Sequence, residues 1–303
     1  MSNPRISFVV PAYNAATTLS ETLDALILQS CPDWECVIVD DGSSDDTLRI
    51  AERYAARDDR FRVISQENRG SGGAYNTGVR NVASPIVCIC SSDDILLPSH
   101  VAGILCAFDG HPDIDIVSTN GFYLTPSGTR EIVYSGRGST SSSKWSLSEV
   151  IARCFFSVGA SYRKEWYDRC GGYREDVYGE DWDFWLRAMA TGARHLYLPQ
   201  ETAIQRVSEK QKTADLSSVF RSNRAILEHL RQHYTLSEDE GYEVDQAIAE
   251  ANRLLERNER GANRSEKTVL VTGKRWLRSL LNRIFGESRT HRWLRARHAK
   301  RHD

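Results

Sequence analysis

The sequence predicts an α/β protein in which helices flank a mostly parallel sheet and a helical extension follows at the C-terminus. Short β-branched runs alternate with amphipathic segments over the first hundred residues, which is the pattern of βαβ units. The hydrophobic content of 40% is enough for a core in a chain of 303 residues. Beyond about residue 206 the helical period continues without convincing strands.

The predicted elements follow one another closely along the chain. Strands are expected at 6–10, 35–39, 61–65, 86–90 and 114–118. Helices are expected near 18–29, 46–56, 72–82, 216–232 and 242–257. Thr18 and Glu21 have the spacing of a capping box at the start of the first helix. The Gly/Ser-rich stretch 135–143 is typical of a loop.

Cysteine usage and hydropathy narrow the class of protein. The seven cysteines are an odd number and lie mostly among apolar neighbours, which indicates reduced, buried thiols and not a disulfide framework or a zinc site. No run of about 18 uncharged apolar residues occurs. We therefore expect a cytoplasmic protein. The chain lacks the aromatic and RNA-fold signatures that accompany nucleic-acid binding, so that class is disfavoured.

Charge is divided between an acidic body and a basic tail. Residues 264–303 hold 12 Lys/Arg against 3 Asp/Glu, although the whole chain has a net charge of −2. Apolar residues of this tail, Trp276, Leu277, Leu280, Leu281, Ile284 and Phe285, recur on one face of a helical projection. Cations on the flanks and opposite side complete the pattern of an interfacial helix on an anionic membrane surface. Packing of this stripe on the rest of the protein, or on a second copy in a homo-oligomer, is the alternative.

Polar segments follow four of the predicted strands, at 11–14, 40–45, 66–70 and 91–94. Because helix N-termini converge at the carboxyl ends of parallel strands, we expect a ligand site there. None of these segments has the Gly-x-Gly-x-x-Gly turn of a dinucleotide fold. Asp40 and Asp41 could accept hydrogen bonds from a base or ribose, or belong to a helix-capping turn. Asp93 and Asp94 could bind Mg²⁺ or Mn²⁺, or end a strand before Pro98.

Taken in chain order, these segments and a later one resemble the motifs of the family 2 glycosyltransferases. The matching motifs are Pro-Ala-Tyr-Asn at 11–14, Val-Asp-Asp-Gly-Ser-Ser-Asp at 39–45, Asn-Arg-Gly at 68–70, Asn-Thr-Gly at 76–78, Ser-Asp-Asp at 92–94, and Gly-Glu-Asp at 179–181 with Trp-Leu-Arg at 185–187. The resemblance covers about residues 5–206. It implies a GT-A catalytic domain at 1–206, with a donor half at about 1–98 and an acceptor half at about 99–206. Residues 207–303 would be the helical extension.

The family's activity follows from the resemblance as an expectation. It implies an inverting enzyme that moves one sugar from a nucleotide-diphosphate sugar to a saccharide or lipid-linked acceptor, in cell-surface glycan or polysaccharide synthesis. The Gln-x-x-Arg-Trp signature of processive polymerases is absent, which favours transfer of a single sugar. With a lipid-linked acceptor, the protein would work at the inner face of the membrane.

Matching positions also assign site residues. The expected donor side consists of Pro11, Tyr13, Asp41, Asn76, Ser92 and Asp93. Of these, Pro11, Tyr13 and Asp41 would hold the base and ribose, and Asp93 would ligate a divalent cation, Mn²⁺ or Mg²⁺, that bridges the diphosphate. Asp181 would be the catalytic base. The expected acceptor side contains Glu180 and Gly159, together with Trp182 unless that ring is buried in the core.

Three positions depart from the family pattern. Ser91 stands where the first acid of the family's Asp-x-Asp motif is expected, Tyr75 where many relatives have Arg, and Ser208 where a His can complete the metal site. The departures at Ser91 and Ser208 predict metal binding that is weak, or that is met by Asp93, phosphate oxygens and water. They also leave open a catalytically silent module that only binds nucleotide sugars, although the retained Asp181 favours an enzyme.

Overall fold

The computed structural model describes residues 3–124, 128, 130–132, 141–153, 158–206 and 216–262. The predicted loop at 135–143 lies largely outside these residues, and the predicted membrane-binding stretch 264–303 and Ser208 lie wholly outside them. Among the helices that are described, none is long and apolar enough to cross a membrane.

The described strands form one sheet of nine strands. In chain order these are β1 Ile6–Ala12, β2 Trp34–Asp40, β3 Phe61–Ser65, β4 Ile86–Ile89, β5 Ile95–Leu96, β6 Ile116–Leu124, β7 Arg130–Ile132, β8 Ser161–Arg163 and β9 His195–Arg206. The helices are α1 Leu19–Ile27, α2 Thr47–Ala55, α3 Gly70–Arg80, α4 His100–Gly110, α5 Leu147–Arg153, α6 Glu165–Arg169, α7 Glu180–Ala190, α8 Leu216–His233 and α9 Glu238–Ala262.

The sheet has a parallel half and a mixed half. Its strand order is β3-β2-β1-β4-β8-β6-β9-β5, with β7 paired to β6. Strands β1 to β4 pair in parallel, as predicted, whereas β8 is antiparallel to both β4 and β6. Strands β5 and β8 have two and three residues, too few to show a sequence period. The sequence therefore indicated the parallel half more clearly than the mixed half.

Both faces of the sheet are covered. Alternate side chains of β1 enter different hydrophobic clusters, with Val9 in one and Phe8 and Val10 in the other, as the two-residue period of a strand requires. Helices α1, α2 and α4 complete the cluster around Phe8. Helices α3, α5 and α7 complete the cluster around Val9. Burial on both sides explains the continuous apolar runs of the central strands.

The capping box predicted for the first helix is wrong. The Thr18 side chain makes no cap hydrogen bond, and its hydroxyl instead donates to the Ala15 carbonyl at 3.4 Å. The Glu21 carboxylate pairs with Arg206 at the end of β9. A partner 185 residues away thus competes for the carboxylate that the box requires.

The described part of the C-terminal extension shares the core of the rest of the protein. Ile226 and Leu230 of α8 and Val244 of α9 are buried in the same cluster as Trp185 of α7. Helix α8 contacts α7, and α9 contacts α5. The described part of the extension therefore folds against α7, and its folding buries one face of that helix.

A buried ion pair anchors α7. Arg187 Nε lies 2.7 Å from Asp183 Oδ2, and both side chains are at most 4% exposed. The same guanidinium donates to the carbonyls of Cys170, at 2.6 Å, and Gly172, at 2.8 Å. Residues 170–176, which we call the linking segment, are thereby fixed to α7.

Removing one partner of this pair should be costly. Asp183→Ala leaves the Arg187 charge buried without its carboxylate, so we expect the free energy of unfolding to fall by about 3–5 kcal/mol. Chemical denaturation measures this loss. Asp46→Ala, which breaks the exposed Asp46–Arg49 pair, is the matched control and should leave the denaturation midpoint nearly unchanged. An equally small effect of Asp183→Ala would contradict an anchoring role for the pair.

Candidate active site

The loops that follow β1 and β2 are bonded to each other. The Asn14 amide donates to Ser43 Oγ at 3.0 Å, and Asn14 Oδ1 accepts from the Ser44 amide at 2.9 Å. Asn14 adopts a φ of 49°, a left-handed conformation that Asn tolerates better than most residues. Beside this junction, Pro11 is half-buried and the Tyr13 ring is 54% exposed. An aromatic surface therefore lies open at the strand ends.

Asp41 is a buried carboxylate whose orientation is fixed. Its Oδ1 accepts from Gln66 Nε2 at 2.7 Å and from the Arg69 amide at 2.9 Å. Both of these hydrogen bonds end on the same oxygen, which directs Oδ2 away from them. Gln66 is itself held by the Thr77 hydroxyl. Gln66 was not predicted as a site residue, and its position at the carboxyl end of β3 was the only signal for it.

The two acids that follow β4 differ in environment. Asp94 is 2% exposed, and its Oδ1 accepts from the Arg206 amide at 3.0 Å. Burial, and then the charge of Asp93, raise the pKa of Asp94 well above its usual range. Ser92 and Asp93 are only half-buried. Asp94 therefore stabilises the loop, whereas Asp93 is the more accessible carboxylate.

Tyr75 lies near both the loop that follows β4 and the start of α7. Its pKa is raised well above the ordinary value, first by burial and then by the charges of Glu180 and Asp181, while a hydrogen bond with the Ser91 side chain opposes the shift. The ring stacks on Tyr173 with a centroid distance of 5.1 Å. The Ser91 side chain of the β4 loop and the two acids of α7 therefore lie near a common neutral phenol.

Glu180 and Asp181 occupy the first turn of α7. Gly179 precedes them with a φ of 80°, a conformation that glycine adopts without strain. Both acids are half-buried, and Asp181 Oδ1 accepts from the Trp182 amide at 2.7 Å. The helix dipole favours carboxylates at this end. Asp181 can therefore be held in place while its carboxylate stays accessible.

Asn76 does not join the predicted donor side. Its side chain is 4% exposed and makes four hydrogen bonds within the protein. The Nδ2 group donates to the Tyr173 carbonyl and to Glu175 at 2.9 and 3.0 Å, and Oδ1 accepts from the Tyr173 amide and the Tyr167 hydroxyl at 2.8 and 3.1 Å. With its donors and acceptor occupied, Asn76 fastens α3 to the linking segment.

Two predicted acceptor-side residues also have packing roles. Trp182 is 3% exposed and its Nε1 donates to the Val150 carbonyl at 3.4 Å, so the ring is unavailable for stacking on a sugar. Gly159 has a φ of 83°, and a Cβ there would lie 2.5 Å from the His100 ring. Burial lowers the pKa of His100 to about 4, which favours the neutral ring in this packed position.

The side chains available to a metal ion are few. In the described part of the chain, no group of three or more His, Cys, Asp or Glu side chains could hold one. Asp93 offers one accessible carboxylate, which suits a cation whose other ligands are the phosphate oxygens of a nucleotide. Such a donor set fits a cation that arrives with its ligand.

This combination of a parallel strand-end site with a mixed second half is that of a GT-A-type fold. Two solved structures share the architecture. S. aureus TarS 1–349 in complex with UDP-GlcNAc has a TM-score of 0.69 and 20% identity over 92% of this chain and 81% of that one. The mannosyltransferase PcManGT from Pyrobaculum calidifontis, in complex with GDP-Man and Mn²⁺, has a TM-score of 0.65 and 20% identity over 97% of this chain and 88% of that one.

Residues 7–171 match the family described as Glycosyl transferase family 2, and the chain belongs to that family. The putative glycosyltransferase EpsH of Bacillus subtilis is 35% identical over 38% of this chain. Chondroitin synthase of Escherichia coli is 38% identical over 37% of this chain. These matches span only 34% and 16% of the two relatives' own lengths.

The role of Asn76 can be measured directly. Asn76→Ala leaves the buried Tyr173 amide without its acceptor and removes a donor from Glu175, so the free energy of unfolding should fall by about 1–3 kcal/mol. Denaturation of Asn81→Ala, which removes an exposed hydrogen bond at the end of α3, provides the control and should show a smaller loss. If Asn76→Ala kept full stability but lost nucleotide binding, Asn76 would belong to the donor site after all.

Proposed function

We propose that the protein is an inverting glycosyltransferase that moves one sugar from a nucleoside-diphosphate donor to a saccharide or lipid-linked acceptor. The observation that carries this proposal is the placement of Asp181 and Ser91 around the Tyr75 phenol. This proximity supports the choice of Asp181 as the base near the loop that offers Asp93. Membership of the family supports the reaction class, and similarity to chondroitin synthase supports a role in glycan or polysaccharide synthesis.

The donor would lie along the carboxyl ends of β1, β2 and β4. Tyr13 presents an exposed ring to the base, with Pro11 beside it. Asp41 Oδ2 is the oxygen available to a base N–H, because both hydrogen bonds from Gln66 and Arg69 end on Oδ1. Ser92 and Asp93 would face the diphosphate. The UDP-GlcNAc and GDP-Man complexes of proteins with this fold support a donor of this class.

Asp181 would act as the general base. Its carboxylate takes the proton of the acceptor hydroxyl while that oxygen attacks the anomeric carbon, and the bond from this carbon to the diphosphate breaks. One direct displacement inverts the configuration, whereas retention would require a second carboxylate as nucleophile. A divalent cation held by Asp93 and the phosphates would neutralise charge on the departing nucleoside diphosphate.

Replacement of the base tests this mechanism. Asp181→Asn keeps the size of the side chain but cannot accept a proton, so sugar transfer should fall by about 10²- to 10⁴-fold. Donor binding should persist, as a thermal-shift screen with UDP- and GDP-sugars, with and without Mn²⁺, would show. Glu52→Gln, which changes an exposed acid on α2 outside the site, is the control and should retain the turnover.

Two outcomes would contradict the mechanism. Wild-type transfer by Asp181→Asn would exclude Asp181 as the base. Wild-type protein that binds donors but neither transfers nor hydrolyses them would instead support the silent nucleotide-sugar-binding module. The departures at Ser91 and Ser208 are the sequence observations that favour this second candidate.

We also propose that residues 264–303 bind an anionic membrane surface, where a lipid-linked acceptor would be found. The 12 Lys/Arg of this stretch and its apolar stripe support the proposal.

The protein should sediment with anionic vesicles but not with neutral ones, and salt should weaken the binding. Deletion of 264–303 should abolish it. Equal sedimentation of the full-length and truncated proteins would exclude the tail as a membrane anchor, whereas a change in oligomeric state on deletion would favour packing on a second copy.

A further inference from the structure

Aromatic rings on the acceptor half differ sharply in exposure. The tryptophans at 166, 182 and 185 are at most 3% exposed, so none of their faces can meet a ligand. Tyr178 is 47% exposed and lies three residues before Asp181 in the chain. The other exposed large apolar side chains of the described residues are Tyr13 at the β1 end, Ile27 and Leu28 at the end of α1, and Tyr242 on α9. Of these exposed rings, Tyr178 is therefore the one nearest in the chain to the proposed base.

The backbone of Tyr178 is held unusually firmly for a loop residue. Its amide donates to Ser222 Oγ at 2.7 Å, and the same hydroxyl donates to the Tyr178 carbonyl at 2.8 Å. Ser222 is 8% exposed on α8, which is packed on α7. One buried hydroxyl thus satisfies both backbone groups of Tyr178. Gly179 then turns the chain into α7.

An exposed aromatic ring on a fixed backbone is already arranged to stack on a ligand. The ring presents an apolar face to water, and the two hydrogen bonds to Ser222 fix the backbone that carries the ring. Stacking on the C–H face of a pyranose removes this surface from water and orients the sugar without requiring the ring to reorganise. The neighbouring Asp181 carboxylate would then meet a hydroxyl of the stacked sugar.

We propose that Tyr178 is the acceptor platform, on which a saccharide acceptor stacks beside Asp181. The inference rests on the proposed function and specifies its acceptor as one with a pyranose ring next to the reacting hydroxyl. It also gives α8 a part in the site, since Ser222 fixes the platform. Tyr13 and Tyr178 then serve the donor and the acceptor respectively.

Binding to a glycan array tests the platform separately from catalysis. Full-length labelled protein, saturated with UDP or GDP, is applied to an array of pyranose and furanose saccharides. Wild-type protein should bind at least one pyranose saccharide, and Tyr178→Ala should weaken that binding about tenfold, the effect of losing one stacking ring. Tyr178→Phe and Tyr178→Trp keep a ring face and should bind like wild type. Tyr242→Ala, at the 63% exposed tyrosine of α9, should have no effect.

The role of Tyr178 is decided by measuring saccharide binding, donor binding and melting temperature for each variant and for the wild-type protein. The proposal would be overturned if Tyr178→Ala bound the array with unchanged affinity, or if the wild-type protein bound no saccharide. It would also be overturned if Tyr178→Phe lost as much affinity for saccharides as Tyr178→Ala. A fall in melting temperature of Tyr178→Ala with parallel loss of nucleotide binding would show that the ring supports the fold instead. Failure of the proposed function would appear differently, as absence of donor binding and turnover in the wild-type protein.

Discussion

The hydrogen bonds of the linking segment hold the two halves of the candidate site together. Arg187 fixes the Cys170 and Gly172 carbonyls to α7, the helix that carries Asp181. A few residues later, Asn76 pairs with both backbone groups of Tyr173. Glu175 then pairs with Arg69, whose amide orients Asp41. A continuous series of polar contacts therefore runs from α7 to Asp41, which limits movement of the two relative to each other.

The electrostatics of the site follow from the same packing. Burial raises the pKa of Tyr75 and Tyr173 well above their ordinary values, and burial with a neighbouring charge does the same for Asp94. These groups favour their neutral forms beneath the site. The more accessible carboxylates of the site are those of the half-buried acids Asp93, Glu180 and Asp181. Such separation suits a cation-bound diphosphate on one side and a proton-accepting carboxylate on the other.

The sequence predicted those features whose signals are local. Alternating strands and helices, polar strand ends and the order of the motifs were visible within short windows. Asn76, Trp182 and Gly159 were placed on ligand surfaces because a motif does not show burial, and their partners Tyr173, Val150 and His100 lie far away in the chain. Ser222 and Glu175 had no motif to mark them. They matter only because folding brings α8 and the linking segment next to the acids.

We propose that the donor and base sites face one another across the strand ends. A crystal structure of the protein with Mn²⁺ and UDP-GlcNAc or GDP-Man tests this arrangement most directly. The account predicts a base N–H within hydrogen-bonding distance of Asp41 Oδ2, the diphosphate beside Asp93, and the anomeric carbon exposed toward Asp181. A nucleotide bound away from Asp41, or an anomeric carbon whose open face points away from Asp181, would contradict it.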